Sequence, residues 1–222
     1  MKKLLVLLSA VLISSTLSAQ VLTYTTKIGS LKGPVKSMLM TNDQSTNMLM
    51  FNHNGTLERY INSATEYYIV LEWGSDTITQ NFYKNSDDSL MGQSVLAYEA
   101  SENNFLVGND TGAYYWDFTN SSLTALDLKK KKNNILWVMF SENMTDEGYT
   151  SSVYANEQRI SSNQVMTLDR DEYGNATRII TITPDGVEHE STCSYEYYDK
   201  SYEDAKKEEI LKLQLEALNV AM

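Results

Sequence analysis

The chain has one cysteine, two histidines and two prolines in 222 residues, and 18 basic residues against 29 acidic ones. The lone Cys193 rules out an internal disulfide framework, so stability has to come from an apolar core. Two histidines and one cysteine, with no metal-ligand spacing, argue against a zinc site. His189 and Cys193 are four residues apart, which on a regular strand separates them by about 13 Å at roughly 3.3 Å per residue, beyond the reach a thiolate–imidazole pair needs. The shortage of Lys and Arg makes the surface repel phosphate backbones and anionic lipid, which excludes nucleic acid as a partner class. The exception is the run Lys129 to Lys132, read as a solvated turn.

Long hydrophobic runs are absent too. The only sustained one, Leu4 to Ile13, follows Lys2 and Lys3 and precedes small polar residues ending at Ala19. That is the pattern of a secretory signal peptide over residues 1–19, and the run is shorter than the roughly 20 residues a spanning helix requires. Removing 19 of the 222 residues leaves a mature chain of 203 from Gln20, with no transmembrane segment after cleavage. Losing Lys2 and Lys3 leaves 16 basic against 29 acidic residues, a net charge of −13. About 200 residues suffice for one sizeable domain, here residues 20–200, ahead of a different segment at 201–222.

What is present between Val21 and Tyr198 is β-structure. Short apolar runs alternate with Gly, Asn and Asp: NMLMF, then His53-Asn54-Gly55, then TLERYI; EYYIVLEW, then Gly74-Ser75-Asp76, then TITQNFY; ATRIITIT, then Pro184-Asp185-Gly186, then VEHESTCSYEYY. Asn-Gly and Asp-Gly suit type I′ hairpin turns. Further strands are expected near 35–41, 94–100, 113–119, 134–140, 148–155 and 160–168, a spacing that predicts an antiparallel all-β architecture. Gly55 and Gly174 are each followed four residues later by an arginine, Arg59 and Arg178, and then by strand formers, a weak internal repeat.

Other candidate chemistry is sparse. Asp169-x-Asp171-x-x-Gly174 resembles the opening of a calcium loop, but Tyr173 and Ile180 stand where an EF-hand needs ligands, so a turn is expected. Glu188 and Glu190 share one strand face, whereas paired glycosidase carboxylates face each other across a cleft. No nucleophile elbow or phosphate-binding glycine loop is present, and neither a catalytic set nor a cofactor is expected.

LKGPVKSM, FNHNGTLERYI, DEYGNATRI and the closing YEYYDK resemble the exported proteins of Gram-negative bacteria that carry Rhs or YD-type β-hairpin repeats. Asp171, Tyr173, Gly174, Asn175, Asp185, Gly186, Tyr195, Tyr197, Tyr198 and Asp199 follow the order of that repeat, although the Tyr-Asp order is lost at 171–173. The resemblance implies an open or wrapping antiparallel meander of consecutive hairpins without an active site. It also implies a location in the periplasm or on the cell surface of a Gram-negative bacterium.

Fifteen tyrosines and three tryptophans are the richest feature. Tyr114, Tyr115, Trp116, Tyr195 and Tyr197 are candidate contacts for a ligand or partner, set against the strong preference of aromatics for cross-strand packing. Residues 201–222 change character: Ser201 and Asp204 suit a helix start, and Leu211, Leu215, Leu218 and Met222 fall on one stripe of an amphipathic helix of about 18 residues. That helix would either cover the sheet or dock a partner. Together these features predict a non-enzymatic exported module that binds an envelope protein or a glycan polymer. The alternatives are an immunity or inhibitor-like protein and a glycan-binding or glycan-processing protein.

Overall fold

The computed structural model describes residues 29–128 and 134–199. The signal peptide, the lysine run and the amphipathic stripe Leu211, Leu215, Leu218 and Met222 all lie outside the described residues. Fourteen strands follow one another: β1 Val35–Asn42, β2 Thr46–Phe51, β3 Leu57–Asn62, β4 Tyr67–Trp73, β5 Thr77–Lys84, β6 Leu90–Ala100 and β7 Asn104–Asn109. The second half comprises β8 Gly112–Asp117, β9 Ser122–Asp127, β10 Asn134–Thr145, β11 Gly148–Ala155, β12 Gln158–Arg170, β13 Ala176–Ile182 and β14 Glu188–Tyr197. Each pairs antiparallel with the next, and β1 pairs with β14, so the sheet closes into a barrel.

The all-β antiparallel reading holds for the described residues, but the open or wrapping meander does not. Val35 to Asn42 runs against Tyr197 to Ser191 with one bulge, joining strands about 160 residues apart in sequence. Closure satisfies the two ladder edges that an open meander would leave exposed to other chains.

The hairpin turns also differ from the type I′ expectation. Asn52 N–H donates to Thr56 O at 2.8 Å and Gly55 N–H to Asn52 O at 2.9 Å. The same pair of bonds recurs at 171–175 and 183–187. In all three the glycine alone has positive φ, at 83° for Gly55, 86° for Gly174 and 82° for Gly186. This is a three-residue loop with a left-handed glycine closing it, so the repeat at Gly55 and Gly174 is real at the level of turn geometry. The turn with positive φ at both central residues is Asn156-Glu157, between β11 and β12, which contains no glycine.

Alternation along each strand decides what faces inward. Leu49 opposes Tyr60 and Met38, Leu71 opposes Gln80, and Ile78 opposes Leu96. Phe51, Leu57, Ile69, Ile78 and Val107 are at most 1% exposed. Barrels of eight strands are filled by their side chains, whereas much larger ones hold an aqueous channel. A round tube of fourteen strands would wet these positions, so the walls must close over one another. The indole of Trp73 on β4 lies 6.4 Å from the ring of Phe105 on β7, although three strand steps span about 14 Å on a flat sheet.

Outward positions are mixed: Arg59, Glu72, Asn81, Gln93, Gln164, Arg178 and Glu190 are polar or charged, while Leu39, Met50, Val70, Val95, Leu106 and Ile180 are apolar. The inner face changes along the sheet. From β2 to β9 it is mainly apolar and aromatic, while from β11 to β14 it carries the buried Ser151, Ser161, Asn163, Thr181 and Ser191. Within the apolar arc one polar chain is fully paired: Asn62 donates to Tyr60 Oη and Tyr60 Oη to Asn47 Oδ1, both at 3.0 Å. Burial pushes the Tyr60 phenol up to about 12.

Candidate functional site

The rim where β1 begins carries the loops 52–56, 74–76, 101–103, 118–121, 146–147 and 171–175, together with the chain's entry at 29–34 and its exit at 198–199. Two structures are built there: a clasp that locks the barrel seam, and an aromatic pocket.

The clasp is made from the residues that carried the hairpin-repeat resemblance. Asn175, 3% exposed, accepts from Lys32 N–H at 2.7 Å and donates from Nδ2 to Lys32 O at 2.8 Å and to Tyr197 Oη at 2.7 Å. Tyr197 Oη donates to the Asp171 carboxylate, which also accepts from the amides of Tyr173 at 3.0 Å and Asn175 at 2.8 Å. Burial pushes the Asp171 carboxyl up, but the hydrogen bonds from Tyr197 and the two amides outweigh it and hold the group below the usual range. The Tyr197 phenol is raised, first by burial and then by the carboxylate it serves. Tyr173 stacks on Tyr197 at 4.2 Å between centroids. A Cβ on Gly33 would stand 2.5 Å from the Tyr173 ring, so the strap 31–34 can lie against that ring only with glycine there. Asp171 therefore sits in a turn and a clasp.

The candidate contact residues are divided among different surroundings. Tyr114 and Trp116 face inward, and Trp116 is 8% exposed. Tyr115 points outward beside Leu106 and Thr124. Tyr195 faces inward and donates to Ala176 O at 2.8 Å, and Tyr197 belongs to the clasp. The five therefore do not form one surface. Tyr114 and Trp116 instead join a continuous ladder of ring contacts running Trp73, Phe105, Trp116, Tyr114, Trp137, which includes all three tryptophans.

At the rim, this ladder ends in a pocket of about 270 Å³ lined by Trp73, Tyr98, Phe105 and Phe118, with Asn54, Gly55, Thr56, Ala100, Ser101 and Asn104 around its edge. The rings brace one another: Trp73 meets Tyr98 edge-on at 5.4 Å, and Tyr98 stacks on Phe105 at 5.8 Å. Their polar atoms are spent on backbone. Trp73 Nε1 donates to Leu57 O at 2.7 Å and Tyr98 Oη to Gly74 O at 3.0 Å. Asn54 Oδ1 and Ser101 Oγ accept from the amides of their own turns. What remains for an occupant is mainly apolar surface with the Asn54 and Asn104 side chains at its edge, and no carboxylate or imidazole in the lining. Sequence reasoning counted Trp73 among the three tryptophans without naming it a contact, and did not single out Tyr98, Phe105 or Phe118. They come from separate stretches, Tyr98 near the end of β6, Phe105 near the start of β7 and Phe118 just after β8, and share only the rim they lie at.

A second pocket of about 350 Å³ opens at the opposite rim, lined by Leu96, Val107, Asn109, Tyr114, Leu126 and Leu136 among others. Among the described residues no group of three His, Cys, Asp or Glu side chains could hold a metal ion. Cys193 is buried, and burial pushes its thiol up to about 11, away from nucleophile chemistry.

No protein-family model matches the chain, and no curated protein matches it. Among solved structures, a porin-like protein from Bacteroides uniformis aligns with 74% of this chain and 99% of its own, at 8% identity and a TM-score of 0.32, a likeness too slight to support an argument about fold or function.

Proposed function

We propose that the protein is a non-enzymatic binding protein of the cell envelope that takes an apolar side chain of a partner protein into the aromatic rim pocket. The observation that carries this reading is the pocket's chemistry: three mutually braced aromatic rings, Trp73, Tyr98 and Phe105, with Phe118 beside them, and the polar atoms of Trp73 and Tyr98 already satisfied. Such a wall rewards burial of an aliphatic or aromatic anchor in the manner of an interface hot spot. A sugar ring would need free donors and acceptors at its hydroxyls, and a glycosidase would need facing carboxylates.

The test is affinity capture from envelope extract with the full chain and with Ala100→Trp. Ala100 is exposed at the pocket edge, so an indole there fills the pocket while leaving the core intact. A partner recovered by the native chain and lost with Ala100→Trp supports the reading. Equal recovery by both chains refutes it.

A further inference from the structure

We infer that a groove on the outer wall of β6–β8 docks an extended segment of a partner protein, one with an apolar side chain and a basic residue two positions to either side of it. The groove lies outside the barrel and is independent of the rim pocket.

Side-chain size along one transverse row makes the groove. Ala97 on β6, Gly108 on β7 and Ala113 on β8 oppose one another in register. Their neighbours Leu96, Val107 and Tyr114 face inward, so strand alternation turns these three outward. One glycine and two alanines leave a depression of about 280 Å³, with Leu106 and Leu128 among its walls. Nothing can grow from its floor to fill it, because a Cβ on Gly108 would stand 2.6 Å from that of Ala113. The depression is large enough for one aliphatic side chain, and an apolar recess on an outer wall is a place for such a chain to bury.

Charge selects the occupant. Glu99 and Asp110 both line the groove, both are exposed, and among the described residues neither belongs to an ion pair. No lysine or arginine lines it. Glu99 opposes Leu106 in register, and Asp110 follows Leu106 by four residues. The two carboxylates therefore bracket the groove at a separation of up to about 13 Å, at roughly 3.3 Å per residue. An extended chain covers the same distance from i to i+4 and keeps i, i+2 and i+4 on one face. Lysine or arginine at i and i+4 meets the two carboxylates while the side chain at i+2 enters the groove. The acidic excess of the whole chain, 29 residues against 18, attracts the same kind of segment.

The test titrates the end-capped peptide Gly-Lys-Ser-Leu-Ser-Lys-Gly into the full chain and follows backbone amide shifts by NMR. The expected result at low salt is a Kd of about 1 mM or tighter, with the shifts centred on β6–β8. Binding should weaken at least about threefold in 1 M salt, where the Debye length is about 3 Å. Ala97 is exposed, so Ala97→Trp fills the groove without entering the core and should weaken binding about tenfold or more. Glu99→Lys should weaken it about fivefold, while Glu172→Lys, the same change of charge on an exposed turn of the other rim, should alter it less than about twofold. A peptide with one lysine replaced by glutamate should bind Glu99→Lys more tightly than the parent peptide does, a rescue that a misfolded variant would not show. No shifts on β6–β8 at about 10 mM peptide, unchanged binding to Ala97→Trp, equal losses with Glu99→Lys and Glu172→Lys, or no rescue overturns the inference.

Discussion

Replacing Asn175 by Ala should unlock the barrel seam. The side chain is 3% exposed and makes three hydrogen bonds of 2.7 to 2.8 Å, two to the backbone of Lys32 and one to Tyr197 Oη. At about 1 kcal/mol net for each bond, truncation costs about 2–3 kcal/mol, with the upper end favoured because the Lys32 amide and carbonyl lose partners in a partly buried setting. Against a total stability of about 5–15 kcal/mol this is a large fraction. Guanidinium unfolding at pH 7 should show a lower midpoint at unchanged slope. Hydrogen exchange should place the loss: amides of the β1–β14 ladder, such as those around Met38 and Met40, should exchange faster, while the β5–β6 ladder keeps its protection. A double-mutant cycle with Tyr197→Phe should give a coupling of about 0.5 kcal/mol or more, since the two side chains share a bond. A stability loss under about 1 kcal/mol, or uniform acceleration of exchange around the barrel, would refute the clasp as the element that holds the seam.

Acid should act on the same clasp. The Asp171 carboxyl is held below its ordinary value, so its contribution is present above an unfolded value of about 3.9 and is lost as pH falls through the lower folded value; urea midpoints from pH 6 down to pH 2.5 should therefore fall less steeply in Tyr197→Phe than in the native chain. Cys193, raised to about 11, should leave only about one thiolate in a thousand at pH 8, so disulfide-exchange reagents should label it in denaturant and not in the native state. Gln80 is 2% exposed with Nε2 lacking a hydrogen-bond partner, and Gln80→Leu should leave stability unchanged or raise it by about 1 kcal/mol, read by thermal unfolding. Ile78→Ala, at a position with 0% exposure, should cost about 2–5 kcal/mol in the same assay.

Local rules made most strands legible and left closure invisible, for one physical reason. Alternation in NMLMF and TITQNFY reports which residues share a face, and Asn47, Leu49 and Phe51 do face inward together. The strands Asn104–Asn109 and Ser122–Asp127 escaped notice because FLVGN is cut by Gly108 and SLTALD presents only Leu123 and Ala125 inward, a weak apolar signal. Turn type was misjudged because Asn54-Gly55 alone suggests a two-residue loop, whereas His53 adds a third residue and lets Asn54 keep negative φ. Closure is decided elsewhere, by Val35 meeting Tyr197 across the whole length of the sheet. No periodicity encodes such a pairing. Its trace in the sequence was chemical: Asp171, Asn175 and Tyr197, noticed as a repeat signature, carry the polar groups that tie the last hairpins to the strap before β1. The rim pocket was hidden in the same way, since Trp73, Tyr98, Phe105 and Phe118 come from four separate stretches that only the curl of the sheet brings together. In a closed antiparallel sheet, strands can be read from neighbours in sequence, while seam and site depend on residues that become neighbours only after the sheet has closed.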